Sequence, residues 1–193
     1  MDAHLANAKQ VVAWLVEDQR IAYVNYAGLE DHPHHERAKK LLPLGVGSVF
    51  SFGVKGTEKA SGRLVGGEFI GALQLASHLA NIGDSRTLVL HPGSTTHQQL
   101  TAEQLAAGGV GEDLIRISVG LEDVEDIIWD LDQALTYATG LNHAGERVGE
   151  SSADKIVEAE EAVAAAKAAE DAAAAEAAAG ASCSLPTTTQ EEK

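Results

Sequence analysis

The chain alternates between two hydrophobic periods. Leu5, Ala8, Val12 and Leu15 share one helical face, broadened by Val11 and Trp14, which predicts a helix over about residues 4–18. IAYVNY (21–26) then reads as a strand, and HHERAKKLL as a short helix closed by Pro43. From Val46 to Val54 the even positions are Val, Ser, Phe, Phe and Val, the alternation of a strand. Phe69, Ala72, Leu73, Ala76 and Leu79 recur at helical spacing. Thr87–His91 is a short β-rich run ended by Pro92, and Thr101–Ala107 resembles a helix start. Ile115, Ile117 and Val119 alternate with Arg116 and Ser118, so this strand buries one face and presents the other. Val124, Ile127, Ile128, Leu131 and Leu135 form the cleanest helical stripe, with Glu122 and Asp123 at its start, where the helix dipole favours negative charge. The order predicts an α/β fold, a small sheet of about four strands with helices mainly on one face.

Composition divides the chain near residue 150. Residues 151–193 hold 16 alanines and no aromatic residue, with 9 acids against 3 bases. Domain one is therefore expected at 1–150, and an Ala/Glu-rich helical or disordered tail at 151–193. Ala, Glu and Lys favour a helix over roughly 153–179. Its apolar stripe is only Ile156, Val157 and Val163, and GASCSLPTTTQEEK at the end reads as disordered. The net charge of -15 argues against a nucleic-acid binder, which needs a basic face for phosphates. No apolar run is long enough for a transmembrane helix, and MDAHLANAKQ lacks the pattern of a secretory signal, so a cytoplasmic location is expected. Cys183 is the single cysteine, which excludes an intramolecular disulfide and a Cys-rich zinc site.

Several motifs carry candidate chemistry. His32, His34 and His35 cluster in a loop entering a helix, a place for metal ligands or for ordinary exposed histidines. Ser152 and Lys155 match the S-x-x-K pattern of serine acylases without either companion motif. The glycines from Gly53 to Gly67 make neither a Walker A loop nor a dinucleotide fingerprint. Two segments say more. In NIGDSRTLVLHPGSTTHQQL (81–100) a short strand opens into a loop dense in hydroxyls, which suits either a ligand shelf or an N-capped turn. In LIRISVG (114–120), Arg116 points away from the isoleucine face, where a mid-strand arginine usually just meets solvent. A guanidinium on a covered face needs an anion and clamps a carboxylate with two parallel hydrogen bonds.

With the motifs HPGSTTH (91–97), LIRISVGLED (114–123) and NIGD (81–84), residues 4–138 resemble the C-terminal domain of the Cys/Met-metabolism family of pyridoxal-phosphate enzymes. Residues 7–56, from NAKQVVAWL to GVGSVFSFGVKG, are similar to that domain's long helix and first strands, and the subgroup most resembled is the O-acetylhomoserine sulfhydrylases. TEKASGRLVGGE (57–68) departs from the compact family form. The resemblance implies pyridoxal 5'-phosphate as cofactor and γ-replacement of acetate by sulfide or a thiol in methionine and homocysteine synthesis. It also implies that Arg116 binds the substrate α-carboxylate, that Asn81 lies beside it, and that Thr96 helps to orient both. The family's Schiff-base lysine sits in an S-x-T-K type motif of a large cofactor domain, and no lysine here sits in such a motif. The expectation is a truncated C-terminal part, inactive alone unless a companion chain supplies the large domain, from a homo-oligomeric family. The alternatives are a non-catalytic interaction or structural relic and an amino-acid-binding module.

Overall fold

The computed structural model of the chain describes residues 1–95, 99 and 101–181. They fall into two compact units, Met1–Lys155 and Ile156–Lys193. In the first, α1 (Asp2–Glu17) leads to β1 (Ile21–Asn25), α2 (His35–Leu41), β2 (Val49–Val54) and α3 (Gly62–Ala72). There follow β3 (Ser77–His78), β4 (Leu88–Leu90), a 3-10 turn at Pro92–Ser94, α4 (Ala102–Ala107), β5 (Leu114–Ser118) and α5 (Val124–Thr139). A last helix, α6 (Ser152–Ala181), starts in the first unit and makes up the described part of the second. Its side chains from Glu158 to Ala169 are exposed, as alanine-rich sequence with little area to bury dictates. The expected disordered end, with Cys183, lies outside the described residues from position 182 onward.

The sheet has the order β1-β2-β5-β4-β3. All neighbours run antiparallel except β3 and β4, which are parallel. Phe50, Phe52, Ile115, Ile117 and Val89 share one face and are buried. Phe69 of α3 meets Phe52 edge to face at 6.1 Å, and α1 and α3 both pack on α5, so the long helices cover this face. Asp123 caps α5 by accepting from the N–H of Glu125, and Gly140 ends it in the left-handed region at φ 71°.

Two sequence expectations are corrected. The sheet, expected with about four strands, has five, and the helix predicted through Phe69 and Leu79 stops at Ala72. Asp130, buried in α5, accepts hydrogen bonds from the N–H groups of Gln74 (2.7 Å), Leu75 (3.0 Å) and Ala76 (2.8 Å). A carboxylate that takes three successive N–H groups holds them out of a helical ladder. The chain turns there and lays Ser77–His78 beside β4. The strand expected from Val46 starts at Val49, since Gly47 adopts φ 86°, a conformation incompatible with strand pairing.

Arg20 joins the sheet to the helices. Its side chain is wholly buried and bonds Asp18 through Nε (2.9 Å) and Nη2 (2.6 Å), and Asp132 of α5 through Nη2 (2.6 Å). Nη1 donates to Thr136 Oγ1 (2.8 Å) and to the carbonyl of Leu141 (3.1 Å). Burial alone would lower the guanidinium's affinity for its proton; the bonds to Asp18 and Asp132 outweigh this and hold it above its ordinary range. Replacing Arg20 by Met leaves the buried Asp18 carboxylate uncompensated. The expected cost is about 3–5 kcal/mol in urea denaturation of the chain with unchanged m-value. A loss well under about 1 kcal/mol would show that the cluster does not hold the fold together.

Candidate functional site

The sheet face opposite the helices carries a polar row. Register places Asn25 of β1 opposite Ser51 of β2, Ser51 opposite Arg116 of β5, and Leu90 of β4 on the other side of Arg116. Ser51, Arg116 and Leu90 are half-buried and Asn25 is exposed. Direct cross-strand partners share a face, so the row follows from the same alternation that buries Ile115 and Ile117.

Arg116 donates from Nη2 to the backbone carbonyl of Asn81 at 3.1 Å. Its Nη1 is buried without a hydrogen-bond partner among the described residues. A guanidinium tethered at one nitrogen and unpaired at the other presents a donor ready for an acceptor. Ser118, two residues on and on the same face, is 1% exposed, and its Oγ also lacks a partner among the described residues. Sequence reasoning placed Ser118 on the presented face; the structure buries it between its register partners Val49 and Leu88.

Asn81 faces Arg116 with its carbonyl, while its side chain serves the turn. Oδ1 accepts from Ile82 N (2.8 Å) and Nδ2 donates to Asp84 Oδ2 (3.4 Å). Asp84 also accepts from the N–H of Arg86 at 3.0 Å. That bond, with help from the Asn81 amide and the Arg86 charge, holds the Asp84 carboxyl below the usual carboxylate range. Further on, Glu122 accepts from Thr87 N (2.6 Å) and Thr87 Oγ1 (2.9 Å), and Leu121 N donates to Ser85 O (2.8 Å). Thr87 Oγ1 accepts in turn from Gly120 N (3.0 Å). A Cβ on Gly120 would fall 2.5 Å from the Thr87 nitrogen, so only glycine fits. Thr96 lies outside the described residues. Its neighbour Thr95 donates through Oγ1 to the carbonyl of His91 at 2.8 Å, which fixes the start of that loop.

The remaining candidates are held by local bonds. His32 donates through Nε2 to Asn25 Oδ1 (2.8 Å), because its Nδ1 accepts from His34 N (3.1 Å). Both ring nitrogens are thus committed, and no cluster of three potential metal ligands occurs among the described residues. Lys155 pairs with Glu150 at 2.7 Å on the surface, while Ser152 is buried. Asp84 was not singled out from sequence, and Glu122 was read only as a charge at the start of α5. The signal for the first was present, since Asn and Asp around a glycine mark a turn closed by their own side chains.

His91 stands at the end of β4, just before the 3-10 turn. It is fully buried and donates through Nε2 to the carbonyl of Glu112 at 2.8 Å. Its ring lies 3.0 Å from where a Cβ of Gly66 would stand. Burial pushes its pKa below the ordinary 6.5, against the weaker pull of the Glu112 carbonyl.

Comparison with known proteins follows the same residues. A family model for Cys/Met metabolism PLP-dependent enzymes matches residues 1–136. O-acetyl-L-homoserine sulfhydrylase 1 of Thermus thermophilus is 48% identical over 134 residues, covering 69% of this chain and 31% of the relative. Homocysteine synthase of Schizosaccharomyces pombe is 46% identical over 138 residues, covering 72% of this chain and 31% of the relative. The crystal structure of an O-acetylhomoserine (thiol)-lyase from Campylobacter jejuni, containing N'-pyridoxyl-lysine-5'-monophosphate, aligns with a TM-score of 0.62. It is 34% identical, and the alignment covers 70% of this chain and 31% of that one. The chain thus spans less than a third of the length of these relatives.

The buried His91 generates a pH dependence. The unfolded chain takes up a proton near the ordinary 6.5, whereas the folded chain resists it. Folding stability from this group is therefore complete above that pH and falls as the pH drops below it, down to the lowered folded value. The His91→Gln variant, which keeps a side-chain N–H for Glu112, should lose that part of the slope in urea midpoints between about pH 7 and 5. A slope identical to that of the unmodified chain would contradict a neutral buried His91.

Proposed function

The chain belongs to the Cys/Met-metabolism family of pyridoxal-phosphate-dependent enzymes, and on that premise we propose that it is the substrate-side, C-terminal part of an O-acetylhomoserine sulfhydrylase. The observation that carries this reading is Arg116, held at Nη2 by the Asn81 carbonyl and, among the described residues, unpaired at the buried Nη1. That free donor suits one oxygen of an α-carboxylate, with the planar guanidinium fixing its plane. Asn81 orients the clamp through its carbonyl, and Thr96 is proposed to complete it from the neighbouring loop. The fit is to the substrate rather than to the cofactor, since no lysine of these 193 residues sits in an S-x-T-K type motif. Pyridoxal phosphate, when bound, supplies the electron sink for carbanion chemistry. The residues of this chain bind and orient the amino acid so that its reacting bonds face that sink.

In this reading acetate is exchanged for sulfide or a thiol in homocysteine and methionine synthesis, in the cytoplasm. A companion chain or a second segment carries the cofactor domain, and the assembly is homo-oligomeric as in the family.

Two outcomes test the proposal. The chain mixed with pyridoxal phosphate and reduced with borohydride should give no stoichiometric adduct on a single lysine; one defined modified lysine would overturn the expected inactivity. Combined with the cofactor domain of a relative, it should support γ-replacement. There Arg116→Ala and Arg116→Lys should each cost about 2–5 kcal/mol in kcat/KM while leaving the urea midpoint nearly unchanged. Unaltered kinetics in Arg116→Ala would remove Arg116 from the site.

A further inference from the structure

Resting on the reading of Arg116 as the carboxylate clamp, we infer that His4 is a positioning residue for that clamp, acting from α1 through the Asn81–Asp84 turn. His4 stands at the head of the buried stripe of α1, in line with Ala8, Val11, Val12 and Leu15, and is itself 7% exposed. Packing alone would be served there by an apolar side chain. The imidazole instead donates through Nε2 to the carbonyl of Asp84, 80 residues away, at 3.0 Å.

Asp84 passes the constraint on. Its carboxylate holds the Asn81 amide and the Arg86 N–H, so residues 81–86 form one tied turn. The front of this turn presents the Asn81 carbonyl to Arg116 Nη2. One helical turn after His4, Asn7 donates to the carbonyls of Gly120 (3.2 Å) and Glu122 (2.9 Å), and Glu122 holds Thr87. The first two turns of α1 therefore grip both segments that flank the clamp. Asn7 and Glu122 secure the far end of the turn at residue 87, and His4 secures it at Asp84, nearer the carbonyl that meets Arg116. Ile82 within it is exposed, so little apolar burial restrains that end.

Without the His4 bond the Asn81 carbonyl drifts, Arg116 loses its tether, and Nη1 is no longer aimed. The effect falls on affinity for an amino-acid carboxylate rather than on folding, because leucine at position 4 continues the apolar stripe. The test compares His4→Leu and His4→Gln in the full chain. The first readout is the NMR signal of the Arg116 guanidinium, whose Nη protons are resolved while the Asn81 bond restricts rotation. The second is the Kd for O-acetyl-L-homoserine, with urea midpoints as a control. His4→Leu should average the Arg116 Nη signals and weaken binding about five-fold, the effect of losing one hydrogen bond, with an undiminished urea midpoint. His4→Gln, which retains an N–H able to reach Asp84, should restore both. A His4→Leu chain with unchanged Arg116 signals and unchanged Kd would overturn the inference. An unaltered Kd in Arg116→Ala, or no binding to the unmodified chain, would instead overturn the underlying reading, while the Arg116 signals would still decide the role of His4.

Discussion

The two-residue period of β5 is the constraint from which the rest follows. Ile115 and Ile117 are buried under the helices, so Arg116 and Ser118 have no choice of face. A one-residue slip would drive a guanidinium among Phe50, Phe52 and Phe69 and expose the isoleucines. Register is therefore enforced by the core, and the core thereby aims the cation. The same geometry sets Ser51 and Leu90 beside Arg116, on the face opposite Ile115 and Ile117.

Long-range polar ties turn this sheet into a site. Arg20 fixes the entry of β1 to α5 through Asp132, and Asp130 on the same helix fixes the turn after α3. Glu122 and Asn7 close the loops around Thr87 and Gly120, and His4 reaches Asp84. Each buried carboxylate or cation here is matched by donors or acceptors, which is what low-dielectric surroundings demand. Arg116 Nη1 and Ser118 Oγ, on one face of β5, lack a partner among the described residues, as do His4 Nδ1, His35 Nδ1 and Ser152 Oγ.

Much of this was legible in the sequence. The stripe of α5, the alternation of β2 and β5, and the outward direction of Arg116 are local patterns, and hydrophobic periodicity reports local patterns well. The resemblance of residues 4–138 to the family agrees with the family match over 1–136. What sequence did not reveal is non-local. The end of α3 at Ala72 depends on Asp130, more than fifty residues later, and nothing near Leu73 signals it. β3 is only two residues long and exists because that turn delivers it to β4. Asp18 and Arg20 resemble surface charges until Asp132 and Thr136 are brought to them. The contact between the Asn81 carbonyl and Arg116, 35 residues apart, is likewise non-local.

The central claim is that Arg116 offers a prepared donor to an amino-acid carboxylate. A crystal structure of the chain grown with saturating O-acetyl-L-homoserine tests it most directly. The account predicts the α-carboxylate against Arg116, accepting from Nη1, with Nη2 still on the Asn81 carbonyl. A carboxylate bound elsewhere, or Nη1 already engaged by a group of the protein itself, would contradict it.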